Sequence, residues 1–495
     1  MSDTLAQAAA VDPSTERLSN REKFSYGFGD LASCLYWQTI SLYLTLYYTD
    51  VFGITALAAA AMFATSRTCD AFFDPVIGML SDRTRSRWGK FRPFLLYGCV
   101  PLAVAGVLTF TTPNLGPSGK LLWAYVTFNA MMLLYTTINI PYTAMLGVIS
   151  PNPNERTTLS SIKFCGAYLA GIIVSATLLP MAKAGGWLGA STEQRGWQLS
   201  FVIYGIAAVV FFLIVFFNTK ERVQPPKAQK TSLFKDLGDL ATNGPWLVLL
   251  VSTMTFILFV ALKGSVTAYY FKYYVGPQTV TMPSFLSPLL PKSAQGTQLW
   301  SWETIVSTFN TSNQVLSLVG VMLVPFVARM TGRKIAFITL FVIAILSTAG
   351  LYLIKPEHVV LILLVNGLGS ITGGPLSAVL WAMYADTADY AEWKTGRRAT
   401  GLIFSASIFA QKFGWGWAGG ISLFLLSLMG FVPNQAQAPE ALRGVVNLMT
   451  LFPAGLGVLS LLLVALFYPL NEKRMSAIAA DLRTRRAADA ALPAT

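Results

Sequence analysis

The sequence predicts an all-α membrane protein: twelve transmembrane helices in two pseudo-symmetric six-helix bundles. Three observations carry this expectation. Of the 495 residues, 54% are hydrophobic and only 12% charged, with a mean hydropathy of +0.55, whereas a soluble domain carries about a quarter charged residues. Apolar runs of about 20 residues, the length that crosses a bilayer, recur along the whole chain. The basic residues collect between alternate runs, so the formal net charge of +13 is assigned to topology control and not to nucleic-acid binding.

The spans fall at 24–50, 54–80, 94–112, 121–149, 158–182, 198–218, 243–275, 303–330, 336–354, 359–384, 399–430 and 444–470. Several exceed a bilayer's thickness and are expected to tilt or to extend past it. Residues 1–23 are polar and the first apolar run is long enough to span, so no cleavable signal is expected. With the amino terminus inside, 25 of the 36 Lys and Arg residues lie on cytoplasmic segments. Only Lys120, Lys183, Arg195, Lys292, Lys355 and Arg443 lie opposite, which places both termini in the cytoplasm. Arg67, Lys163, Lys263, Lys272 and Lys412 fall within spans. Residues 1–218 form the first bundle and 243–470 the second. Residues 219–242, with Pro225-Pro226, are the cytoplasmic linker, and 471–495 a basic, Ala-rich tail, either a short interfacial helix or disordered. The outward loop 276–302 is longer than its counterparts and is taken as a surface insertion in preference to a lid.

Enzyme chemistry is not expected. Cys34, Cys69, Cys99 and Cys165 sit in apolar runs without metal spacing or a disulfide framework. His358, the one histidine, lies in a short polar connection. There is no phosphate loop, zinc motif or nucleophile elbow, and no cofactor is called for.

One segment demands explanation. Arg67, Asp70 and Asp74 stand at i, i+3 and i+7 in the second span, on one stripe of a helix. A charge facing lipid costs several kcal/mol, so this stripe should face the bundle interior. Two carboxylates one turn apart repel each other, and relief comes from a held proton, a bound cation or a basic partner. Lys412 is the candidate partner from elsewhere and Arg67 the local one. The alternative is a permanent salt-bridge network that joins helices.

Six spans, a linker and six more spans is the layout of a major facilitator transporter. Gly78-x-x-x-Asp82-Arg83, followed by Arg87, resembles that superfamily's cytoplasmic loop motif. Its glycine admits a close helix and its Asp and basic residues can form breakable ion pairs. Thr331-Gly332-Arg333-Lys334 looks like a degenerate repeat. Asp386, Asp389, Glu392 and Arg398 cluster after span ten. They are either the second face of an ionic gate opposite Arg156 and the 83–92 loop, or an exposed hydrated loop.

A narrower resemblance rests on Asp70-x-x-x-Asp74-Pro75 and Arg87-Trp88-Gly89-Lys90-Phe91-Arg92-Pro93. Further matches are Tyr26-Gly27-Phe28-Gly29-Asp30, Tyr47-Tyr48-Thr49-Asp50, Asn139-Ile140-Pro141-Tyr142, Glu155-Arg156-Thr157, Asp386-x-x-Asp389-Tyr390-x-Glu392-Trp393-Lys394 and Gln411-Lys412-Phe413-Gly414. In this order and spacing the chain resembles the glycoside–pentoside–hexuronide:cation symporters, whose melibiose-permease branch is the best-understood. The resemblance implies that Asp70 and Asp74 bind the cation, that Thr136 supplies a hydroxyl and that Lys412 lies close by. It also implies that the two sugar-binding Asp positions of the melibiose branch are Cys34 and Asn139 here. Two aromatic positions become Thr143 and Ser377, and the helix-five basic residue is Lys163. Melibiose-like galactosides are therefore not expected.

Asp30 is the candidate replacement sugar ligand; its other reading is an ion pair or capping group. Loss of the helix-four carboxylate removes an oxygen ligand for sodium, so a proton is favoured over sodium as coupling ion. Trp37, Tyr142 and Trp381 are candidates for stacking on a sugar face. The surplus of positive charge within spans, Arg67 included, leaves a hexuronide or sulfonated sugar open. The expected function is import of a sugar by symport with a proton or sodium through alternating access. The expected setting is a monomer in the lipid bilayer of a bacterial inner membrane. Rival readings are a lysolipid or amphiphile carrier of the same fold and a non-transporting sugar sensor.

Overall fold

Inside a bilayer every backbone N–H and C=O must be satisfied within its own segment, so apolar runs of this length become helices. The computed structural model describes residues 17–150, 153–222, 242–281, 297–395 and 400–491, and it has a helix at each expected span. In order these are α1 (Asn20–Leu46, continued by a π-helical turn Tyr47–Phe52), α2 (Ala56–Arg83), α3 (Arg92–Thr109), α4 (Pro117–Ile149), α5 (Pro153–Ala182) and α6 (Glu193–Asn218). Then come α7 (Gly244–Tyr269, with a π-helical turn Tyr270–Val275), α8 (Trp302–Thr331), α9 (Arg333–Gly350), α10 (Val359–Thr395) and α11 (Thr400–Leu428). The twelfth span is broken at Thr450 into α12 (Pro439–Met449) and α13 (Leu451–Leu462), and the tail forms α14 (Glu472–Ala491). Among the described residues, eight helices are long and apolar enough to cross a membrane.

Two boundaries differ from expectation. α10 runs on to Thr395 instead of stopping at 384, which puts Asp386, Asp389 and Glu392 on a helix and corrects the hydrated-loop reading for those three. Of the tail, Glu472–Ala491 is helical and packed: Ile478 and Leu482 join the second unit's core, and Trp393 Nε1 donates to Asp481 Oδ2 at 3.1 Å. The outward loop begins and ends in an antiparallel hairpin, β1 (Gln278–Thr281) and β2 (Thr297–Trp300), with Gln278 opposite Trp300. Residues 282–296, on which the insertion-or-lid question turns, lie outside the described residues, as does most of the linker.

The helices gather into two compact units that do not divide strictly along the chain: 1–40 with 64–228, and 41–63 with 229–495. In the first, Phe110 stacks on Phe201 (ring centres 3.6 Å) and on Trp197 (5.8 Å), tying α3 to α6. Glu221, just past α6, caps α3 from a distance. Its carboxylate accepts from the backbone N–H groups of Lys90, Phe91 and Arg92 at 2.8–3.0 Å, at the positive end of the helix dipole. In the second unit Trp246, Phe256, Phe259, Phe337, Phe341 and Tyr384 form the core of α7, α9 and α10.

Segment 41–63 is held to the second unit by polar contacts. Thr45 donates to Ser265 O at 3.0 Å, Thr49 and Tyr269 share a hydroxyl bond of 2.8 Å, and Asn310 donates to Tyr43 at 3.1 Å. Asp50, its side chain 1% exposed, pairs with Lys272 at 2.5 Å and accepts from the Tyr273 hydroxyl.

Candidate functional site

On α1, Tyr26, Asp30, Cys34 and Trp37 recur at helical spacing and so share one face. Glycines let neighbouring helices come close to that face. A Cβ at Gly166 of α5 would meet Gly27 O at 2.5 Å, and one at Gly29 would strike the Tyr142 ring of α4. α1 and α5 therefore touch nearly backbone to backbone, and the Tyr142 ring of α4 packs directly on α1, which brings three candidate side chains together.

Asp30 is 8% exposed, and Lys163 Nζ of α5 lies 3.7 Å from its Oδ1. Lys163 also donates to Thr143 Oγ1 of α4 at 3.5 Å, and the Cys34 thiol points to Asp30 Oδ2 at 4.0 Å. The ion pair is loose, so the carboxylate keeps acceptor positions and the ammonium keeps donors. A polyol hydroxyl, which both donates and accepts, matches that combination. Beside it Trp37 stacks on Tyr135 (ring centres 6.0 Å, 23°), and Asn139 Nδ2 donates to the Tyr135 hydroxyl at 3.2 Å. An acid, a base, an amide and a half-buried indole thus stand on neighbouring helices. A sugar needs this combination: polar edges for its hydroxyls and an apolar face for its C–H groups.

Of the expected substrate residues, the structure groups Asp30, Cys34 and Lys163, and places Trp37 with Asn139 through Tyr135. Tyr142 is the exception. It is wholly buried, its ring stacked on Tyr26 at 4.9 Å and its hydroxyl donating to Tyr26 O at 2.8 Å, so it is a wall behind the ion pair and offers no stacking face. Trp381 lies in the second unit, half-buried, 6.1 Å from the Tyr384 ring.

On α2 the backbone is helical throughout 67–80, so Arg67, Asp70 and Asp74 do form one stripe; Asp74 is half-buried. Thr136 is buried on α4. The side chains of Arg67, Asp70, Asp82, Arg156 and Lys412, and all of Arg398, lie outside the described residues. Arg83 and Arg87 are exposed, with Arg87 over the Trp88 ring at 4.3 Å. Asp386 pairs with Arg333, the arginine of the degenerate repeat. Asp389 and Glu392 are half-buried.

Two polar groups were missed as sites. The Asp50–Lys272–Tyr273 group was visible only as the acid of one motif match and an in-span lysine. The contact of Lys263 with Asn366 was hidden because one partner is neutral.

Residues 25–472 match the family model for MFS/sugar transport proteins. The chain is 35% identical to the isoprimeverose transporter of Lactiplantibacillus pentosus over 95% of its own length and 93% of the relative's. It is 32% identical to the inner membrane symporter YicJ of Escherichia coli (strain K12), covering 94% and 96%. Its fold is that of a bacterial homologue of the lysosomal transporter Spinster, with a TM-score of 0.59 at 16% identity over 94% and 96% of the two chains. The chain thus belongs to the MFS/sugar transport protein family, whose members are membrane transporters and not enzymes.

Proposed function

We propose that this protein imports a glycoside, pentoside or hexuronide into the cell in symport with a cation, and that the proton is favoured over sodium. The observation that carries the reading is the loose Asp30–Lys163 pair set beside Trp37, Tyr135 and Asn139 on α1, α4 and α5. It offers hydroxyl donors, hydroxyl acceptors and an aromatic surface at one place. The relatives named for a sugar and for symport support the same reading.

Coupling is assigned to Asp70 and Asp74, with Thr136 and Lys412 completing the cation site. When a cation neutralises the acid pair, sugar affinity rises and the alternating-access rearrangement becomes permitted; the coupling is reciprocal. Asp82, Arg83, Arg87, Arg156, Asp386, Asp389, Glu392 and Arg398 are assigned to the cytoplasmic gate, and both termini to the cytoplasm.

Counterflow of radiolabelled sugar in proteoliposomes tests the substrate site. Asp30→Asn and Lys163→Gln should each weaken sugar affinity about tenfold or more, the worth of a lost charged hydrogen bond. Unchanged affinity in both variants would remove the site from α1, α4 and α5.

A further inference from the structure

Within the second unit, strand β1 and the start of α10 enclose a cleft of about 510 Å³. Thr279 and Thr281 line it from β1, where they alternate with the buried Val280. Glu357 and His358 line it from the loop before α10, and Leu361 and Leu364 from the helix itself. A turn closed by the His358 N–H on Lys355 O at 3.1 Å gathers Lys355, Glu357 and His358. Glu357 Oε1 stands 4.0 Å from Lys355 Nζ and 3.7 Å from His358 Nε2. Both separations exceed a hydrogen bond and all three residues are exposed, so the carboxylate keeps acceptor positions and the imidazole keeps a donor. The Thr281 hydroxyl is shared with Thr297 at 2.9 Å.

The floor of the cleft has a different character. Leu361, Leu364 and Leu368 are 46–54% exposed and stand at i, i+3 and i+7, one stripe of a helix long and apolar enough to cross a membrane. In a bilayer that stripe faces acyl chains. From Val359 to Leu364 the helix descends about 8 Å, enough to pass from headgroup level, about 5–8 Å deep, into hydrocarbon. The cleft is thus polar and charged at its rim and opens onto the lipid along its floor. Among its lining residues a sugar finds no Trp, Tyr or Phe on which to stack. A metal ion finds Glu357 and His358 but no third ligand among the described residues.

We propose that this cleft seats one phospholipid of the outer leaflet, on the topology assigned above, and selects a headgroup with a primary ammonium. The ammonium donates to Glu357, the phosphate accepts from His358 and Thr279, and one acyl chain lies along Leu361 and Leu364. Charge complementarity carries the choice. A carboxylate beside an imidazole and a hydroxyl matches a headgroup that holds both signs. A quaternary ammonium has no N–H to give the carboxylate, and a glycerol headgroup has no positive charge. Bound there, the lipid ties the β1–β2 hairpin to α10 at the membrane surface.

The test uses the full-length protein in vesicles that contain traces of phosphatidylethanolamine, phosphatidylcholine or phosphatidylglycerol, each with the same diazirine-bearing acyl chain. After illumination, adducts on the peptide spanning 359–368 are counted by mass spectrometry. Phosphatidylethanolamine should label it about threefold or more above the other two, the selectivity that an exposed ionic contact supports. Glu357→Gln should make the three lipids equal, whereas Glu357→Asp should keep the preference. Both positions are exposed, so thermal unfolding of each variant should match that of the unaltered protein. Soluble glycerophosphoethanolamine, which lacks the chains, should compete far less than unlabelled phosphatidylethanolamine. Equal labelling by the three lipids, or a preference that Glu357→Gln leaves in place, would overturn the site. Displacement by the soluble headgroup or by a sugar as effective as that by the lipid would overturn it as well.

Discussion

At the scale of single residues, the proposed substrate site turns on one carboxylate. Asp30 is nearly buried, and the Lys163 ammonium at 3.7 Å is the cation that offsets it. Exchange of the two charges, Asp30→Lys with Lys163→Asp, should keep the pair and hence the folded protein, yet abolish sugar affinity because donor and acceptor have traded places. Thermal unfolding of the purified variant beside its binding curve checks this. Recovery of normal affinity would reduce the pair to a structural tie. Asp30, Cys34 and Lys163 were legible because charge or a family position marked them. Tyr142 was misjudged as a stacking face because burial is not written in a single residue: the ring is covered by Tyr26, 116 residues away along the chain. Lys263 was visible, but Asn366, neutral in an apolar run, gave no sign that it was the partner.

At the scale of elements, the spans were legible to within a few residues because hydrocarbon enforces a helix wherever the run is long enough. α10 overran its expected end because hydropathy marks where the apolar side chains stop, whereas a helix continues as long as its own backbone bonds close. Close approach of α1 to α5 depends on Gly166, where a side chain would run into Gly27 O. Gly166→Val should cost about 1–3 kcal/mol by overpacking and also weaken sugar binding, since it moves Lys163 away from Asp30. Thermal unfolding and counterflow on the same preparation check both parts, and a variant stable but unable to bind would show that the glycine serves position more than packing. Glu221→Ala removes the carboxylate that caps α3 and should lower stability by about 0.5–2 kcal/mol with sugar affinity intact, because the cap lies on no contact of the site. A melting curve unmoved by that change would remove Glu221 as the cap.

At the scale of the whole molecule, the distribution of basic residues fixes how the chain is inserted. With 25 of the 36 on one set of loops, both termini should face the cytoplasm. A fluorescent-protein fusion at the carboxyl end should therefore glow and an alkaline phosphatase fusion there stay inactive; the reverse pattern would invert the topology. Twelve spans and the transporter family were legible from composition and motif order, and a candidate sugar site from a handful of positions. The division into compact units was not, because 41–63 belongs to the first bundle by sequence but is tied to the second unit through Thr45, Thr49 and Asp50, contacts made hundreds of residues away.

The central claim is that the α2 acid pair couples a cation gradient to sugar movement. The direct measurement compares uphill uptake with sugar exchange in proteoliposomes carrying Asp70→Asn and Asp74→Asn, under an imposed proton gradient with and without sodium. Accumulation lost in the variants while exchange persists is the predicted result. Accumulation equal to that of the unaltered protein, under either gradient, would contradict it.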